Sequence, residues 1–89
     1  RSPFLWDFLM QIIVEISLYP LKNEYIESIK YFISRMEKHT EIIVSKNSMS
    51  TTLLGEYSVL MPILEKEIYT ALQDYPKNMF VIKLSGGCQ

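Results

Sequence analysis

Between Gln11 and Leu21 the chain reads QIIVEISLYPL, and alternation divides its side chains cleanly. In an extended backbone successive side chains point to opposite faces, so Ile12, Val14, Ile16 and Leu18 share one side while Ile13, Glu15, Ser17 and Tyr19 share the other. The first side is apolar throughout and the second is mixed. This predicts a central strand covered by helices on one face and met on the other by something less uniformly apolar, a partner sheet or a ligand. Pro20 has no N–H for a ladder and ends the strand.

The period then changes to that of a helix. Tyr25, Ile26, Ile29, Phe32, Ile33 and Met36 recur at helical spacing, with Glu27, Lys30, Ser34 and Lys38 facing water, which predicts a helix from about Glu24 to His39. Asn23 is a suitable N-cap, Glu24 and Glu27 suit the positive end of the helix dipole, and His39 reads as a structural residue of the last turn. Thr40–Lys46 is β-branched and short, an edge strand guarded by Lys46. Asn47 and Ser48 supply turn chemistry ahead of a third strand, Met49–Leu54, closed by Gly55, where a missing Cβ permits a left-handed conformation or a close approach. Ser58 is expected to cap a second helix with an apolar stripe of Leu60, Met61, Leu64, Ile68, Ala71 and Leu72. Pro62 is tolerated near its first turn, and Glu65, Lys66, Glu67 and Gln73 form its solvated face. Pro76 breaks that helix. Met79–Leu84 is a fourth strand with Phe80, Ile82 and Leu84 on one side and Met79, Val81 and Lys83 on the other, ended by Ser85-Gly86-Gly87.

Strand, helix, strand, strand, helix, strand is the order of an α+β ferredoxin-like βαββαβ sandwich: a four-stranded antiparallel sheet, order 4-1-3-2, with both helices on one face. The first and third strands are then central and adjacent. The uncovered face carries Ile13, Glu15, Ser17, Tyr19, Met79, Val81 and Lys83. A surface so apolar is expected to be covered by a second subunit, giving a homodimer or homotetramer.

A chain of 89 residues supports one domain, and at this size folding buries only about 60–65 % of the surface the unfolded chain exposes. The net charge of −1 offers no attraction for phosphate backbones, so nucleic acid is not an expected partner. One cysteine, Cys88, excludes an internal disulfide and a multi-cysteine zinc site; one histidine leaves no imidazole cluster. Residues 1–9, RSPFLWDFL, lack the features of a signal peptide and are too short and charged to span a bilayer. They read as translated upstream sequence before a natural start at Met10, or as an extension packed on the domain formed by residues 10–89. Either way the protein is expected in the cytoplasm, without a membrane partner.

Related folds with other activities need residues that this chain does not place. An RNA-binding member needs aromatic residues on both central strands, and MSTTLL has none. A metal carrier needs paired cysteines in its first loop, and an acyl-phosphate hydrolase an arginine in a glycine-bearing loop; LYPLKN supplies neither. No catalytic signature is present, so no enzymatic activity and no cofactor are expected.

Three ordered elements point elsewhere: Ser17-Leu18-Tyr19-Pro20-Leu21 followed by Tyr25-Ile26 and Ile29; Met49-Ser50-Thr51-Thr52-Leu53-Leu54-Gly55-Glu56 leading into a helix; and Ile82-Lys83-Leu84-Ser85-Gly86-Gly87-Cys88. From Met10 onward the chain resembles the YkoF-like family and its single-domain thiamine-binding relatives. That resemblance implies a ferredoxin-like fold, assembly through open sheet faces, and binding of thiamine or its hydroxymethylpyrimidine moiety without catalysis. YkoF carries two such repeats, so a second one here would come from another subunit. Thiamine's aminopyrimidine wants hydroxyls and amides, and its thiazolium wants a carboxylate or an aromatic face. The candidate ligand contacts are therefore Ser17, Tyr19, Ser50, Thr51, Thr52 and Glu56, in a groove near the two central strands. The same residues have ordinary uses: Ser and Thr belong in strands, Glu15 and Lys83 can pair across neighbouring strands, and Tyr19 can fill an interface. The alternative function is a self-associating regulatory or assembly module with no dedicated ligand.

Overall fold

The computed structural model describes residues 10–21, 25–47 and 50–86. Its elements are β1 (Gln11–Pro20), α1 (Tyr25–Glu37), β2 (Ile43–Lys46), β3 (Thr51–Glu56), α2 (Tyr57–Asp74) and β4 (Asn78–Ser85). The strands form one antiparallel sheet in the order β2-β3-β1-β4. This is the ferredoxin-like arrangement that the alternation of elements predicts, with β1 and β3 paired at the centre. Asn23, Glu24, Ser48, Met49, Gly87 and Cys88, to which the sequence assigned capping, turn, strand, tail and motif roles, lie outside the described residues.

The alternation in β1 is realised as read. Ile12, Val14 and Ile16 are buried and pack with Leu53, with Phe32 and Met36 of α1 and with Leu60, Leu64 and Ala71 of α2. Both helices therefore cover the face of β1 that is apolar throughout. Phe32 meets Phe80 of β4 edge to face, ring centroids 5.2 Å apart, a geometry favoured by the ring quadrupoles. Among the described residues, no helix is long and apolar enough to cross a membrane.

Several local expectations change. β2 begins at Ile43 rather than Thr40, because the preceding turn drops Ile42 into the core. Gly55 lies within β3, opposite Ile12, and does not end it. No described glycine has a positive φ, so what Gly55 supplies is space. A Cβ there would stand 2.9 Å from Ile42 Cγ2 and 3.2 Å from Leu60 Cδ1.

The cap of α2 is Glu56, not Ser58. Its carboxylate accepts from the Ser58 backbone N–H at 3.1 Å and from the Ser58 hydroxyl, and from the Met10 N–H at 3.2 Å. An anion at this position suits the free N–H groups and the positive end of the helix dipole. Pro62 sits in the second turn on the exposed side.

The stripe on α2 also shifts. Glu67, expected in water, is 3 % exposed, while Leu72, expected inside, is 37 % exposed. The buried positions of α2 are Leu60, Leu64, Glu67 and Ala71, at spacings of four, three and four, the rhythm of one continuous helix face. A carboxylate survives there because Arg35 of α1 and His39 in the turn that follows it both reach Glu67.

Candidate functional site

A cavity of about 250 Å³ opens between α1 and the ends of the two central strands, lined by Ile16, Leu18, Tyr19, Ile29, Phe32, Ile33, Asn47, Ser50 and Thr51. Its walls are aliphatic and aromatic, and its polar groups collect on one side, at the β2–β3 turn. That turn is closed by its own amide: Asn47 Oδ1 accepts from the Ser50 N–H at 2.8 Å, and the Asn47 N–H donates to the Ser50 carbonyl at 3.0 Å. Asparagine side chains stabilise turns by such local bonds. The Ser50 hydroxyl donates to Glu15 Oε2 at 3.0 Å, which turns it toward the open face that Glu15 occupies.

The six candidate residues divide among three places. Tyr19, Ser50 and Thr51 line the cavity; Thr51 is buried on the helix side, and Tyr19 is half exposed at the rim. Ser17 and Thr52 share the open face with Glu15, because β1 pairs Glu15 with Thr52 on one side and Lys83 on the other. Thr51 and Thr52 thus point to opposite faces, as consecutive strand residues must. Glu56 is at the far end of β3, opposite Gln11. It lies about 25 Å from the level of Tyr19 at roughly 3.3 Å per residue, and its carboxylate serves as the helix cap. The Ser58 hydroxyl bond, with the bonds from the Met10 and Ser58 amides, holds the Glu56 carboxyl below its usual range.

What the sequence reading missed is the α1 wall, Ile29, Phe32 and Ile33. Their helical periodicity marks them as sheet-facing, but periodicity does not say that part of that stripe lies over a void.

A polar cluster lies outside the cavity, between the helices. Arg35 Nε donates to Glu67 Oε1 at 2.6 Å, and His39 Nε2 lies 2.8 Å from Glu67 Oε2. Burial pushes the Glu67 carboxyl up, but the bonds and charges of His39 and Arg35 outweigh this and hold it below the usual carboxylate range. The Tyr31 hydroxyl donates to Asp74 at 2.5 Å, which raises its pKa above the ordinary phenol value. Every buried side-chain polar atom among the described residues has a partner, so this cluster reads as a clasp between the helices. No three His, Cys, Asp or Glu side chains among the described residues converge as metal ligands.

The fold defines a ferredoxin-like domain with one open sheet face and one cavity beside its central strands. The chain belongs to the YkoF-related family, whose model matches residues 11–89. Solved structures share its fold, among them the following three. Protein SP2199 from Streptococcus pneumoniae has a TM-score of 0.78 at 23 % identity, over 85 % of this chain and 86 % of that one. TM0486 from Thermotoga maritima, described as a "putative thiamine biosynthesis/salvage protein", has a TM-score of 0.74 at 16 % identity over 84 % and 82 % of the two chains. Hypothetical protein MJ1052 from Methanocaldococcus jannascii has a TM-score of 0.71 at 22 % identity, over 86 % and 80 %. Among proteins with curated descriptions, none matches the chain.

Proposed function

We propose that the protein binds thiamine or its hydroxymethylpyrimidine moiety in the cavity between α1 and the β2–β3 turn, without catalysing a reaction. Family membership and the thiamine-related description of the Thermotoga structure support the ligand class. The observation that carries the reading is the composition of the cavity: apolar walls on three sides and Asn47, Ser50 and Thr51 on the fourth. A flat heteroaromatic ring fits such a slot. Its faces lose water against Leu18, Ile29, Phe32 and Ile33, and its edge meets the Thr51 hydroxyl and the Asn47 amide. The Thr51 hydroxyl, buried on the helix side of β3 where the cavity lies, suits the exocyclic amine of an aminopyrimidine. At about 250 Å³ the cavity falls just below the roughly 300–1,000 Å³ that enclose larger ligands. The pyrimidine is therefore placed inside and the thiazolium outside, where Tyr19 at the rim can offer a ring face to the cation.

Thermal melts titrated with thiamine and with hydroxymethylpyrimidine test this. Ligand at a hundredfold excess over its dissociation constant should stabilise the fold by about 2.7 kcal/mol, a rise of about 10–20 °C for a domain of this size. Thr51→Val should weaken binding about five- to tenfold, the loss of one hydrogen bond. No shift at millimolar concentration of either compound would sink the proposal.

A second reading is favoured by the open sheet face, where Tyr19, Ile43, Met79 and Val81 are 40–60 % exposed. Here that face is consumed by self-association into a homodimer or homotetramer, and any ligand only modulates assembly. Light scattering with and without thiamine separates the two: binding with unchanged mass favours the first reading, and a mass change without saturable affinity favours the second.

A further inference from the structure

Five of the nine residues before Met10, which lie outside the described residues, are large and apolar: Phe4, Leu5, Trp6, Phe8 and Leu9, against two charges, Arg1 and Asp7. They join the domain at a fixed place. The Met10 carbonyl accepts from the Tyr57 N–H at 2.7 Å, and the Met10 N–H donates to the Glu56 carboxylate at 3.2 Å, so the segment leaves the body at the first turn of α2. Along α2 from there runs an open apolar groove of about 460 Å³, walled by Met61, Leu64 and Ile68 of the helix and by Ile82 and Leu84 of β4. Ile82 and Leu84 stand opposite Ile16 and Val14, whose side chains are buried under the helices, and cross-strand partners point to the same face. Yet they are 41 % and 52 % exposed. The helix side of the sheet is therefore left uncovered at this one end.

We infer that the segment before Met10 folds back into this groove, its Trp6 and Phe8 rings lying against Met61, Ile82 and Leu84, so that the chain completes its own helix-side layer. The reach is sufficient. Leu84 and Ile82 lie level with Val14 and Ile16, about 13 and 20 Å along β1 from Met10 at roughly 3.3 Å per residue. Met61 and Ile68 lie about 6 and 17 Å along α2 from Tyr57 at roughly 1.5 Å per residue. Nine extended residues cover about 30 Å, which leaves about three of them for the reversal. Composition selects the same occupant: Gly87-Cys88-Gln89, after the last described residue, carry no large apolar side chain. Aromatic rings and the Met61 thioether also make favourable contacts beyond their burial. A tether at Met10 then decides between the chain's own segment and that of a second copy, because it holds the segment beside the groove at an effective concentration on the order of millimolar. The groove shares no lining residue with the cavity, so the test is independent of the ligand.

Trp6 is the single tryptophan of the chain, so its fluorescence reads the contact directly in the full-length protein. In the native state its emission should lie to the blue of its value in denaturant, and iodide should quench it poorly. Leu84→Glu and Ile82→Lys each put a charge into the groove wall at an exposed position; both should move the emission toward the denatured value and open it to iodide, with native circular dichroism. Val81→Glu, one residue away on the opposite face of β4, should change neither. Thermal midpoints supply a second measurement. Trp6→Ser should lower the midpoint by about 5–10 °C, and Trp6→Ser combined with Leu84→Glu should lower it by clearly less than the sum of the two, since both break one contact. Solvent-like emission in the native chain overturns the inference, as does shielding that survives both groove variants or yields equally to Val81→Glu. Shielding that fades on dilution would seat the segment on a second copy, and additive midpoints would mean that Trp6 and Leu84 do not meet; either result overturns it as well.

Discussion

Replacing Glu67 by alanine is expected to lower stability by about 2–3 kcal/mol, the cost of removing a buried hydrogen-bonded acceptor whose two donors, Arg35 and His39, then have only water. The loss stays below the range for a wholly buried ion pair, because the Arg35 and His39 side chains are 29 % and 23 % exposed and solvent screens them. In a domain of this size the melting temperature should fall by about 10–20 °C. The effect depends on pH with a definite sign. The Glu67 carboxyl is held below its usual range in the fold. Its stabilisation is then fully present above the unfolded carboxyl value of about 4.3 and is lost as pH falls through the lower folded value. Melts between neutral and acid pH should show the unmodified protein converging on Glu67→Ala as the pH drops. Parallel curves would show that some other carboxylate governs the acid limb. Glu67→Met, close in volume, should recover part of the loss by packing against Leu64 and Ala71.

The second large effect is expected at Gly55. Alanine there puts a methyl 2.9 Å from Ile42 Cγ2 and 3.2 Å from Leu60 Cδ1. Ile42 is β-branched and buried, so it cannot swing aside freely. The sheet must open between β3 and α2, or the two side chains must leave their preferred rotamers, at about 1–3 kcal/mol. Denaturant unfolding measures this. A double-mutant cycle with Ile42→Ala makes the test specific: Ile42→Ala alone should cost about 2–4 kcal/mol as a cavity mutation, and in the Gly55→Ala background it should cost less, since the new methyl occupies part of the vacated space. Additive costs would show that the two positions do not compete for room.

These two residues mark where local pattern ceases to be informative. Glu67 sits in the run Glu65-Lys66-Glu67, which reads as solvated. Its burial depends on Arg35 and His39, residues about thirty positions away that meet it only once α1 and α2 lie side by side. Gly55 reads as the end of a strand because glycine commonly marks one. Its use as a gap inside β3, one residue before the strand's end, depends on a turn that puts Ile42 over the sheet. The candidate site divides in the same way. Ser50 and Thr51 were legible as polar residues of a central strand, and Tyr19 as an aromatic at the end of the first one. Glu56 was legible as polar, but its neighbour Ser58 and the free amides of a helix start claim its carboxylate.

By itself the sequence determined the order of elements, the buried face of β1, the adjacency of β1 and β3, and the family. All of these follow from alternation, periodicity and motif order, which act between neighbours in the chain. Only the tertiary structure decided which hydroxyls share a space. A one-residue step reverses the face of a strand, so Thr51 lines a cavity while Thr52 looks away from it, and α1 crosses so as to leave a void over the strand ends. Cavities and buried charges arise from pairs of surfaces far apart in sequence, and their geometry is set by how the layers pack.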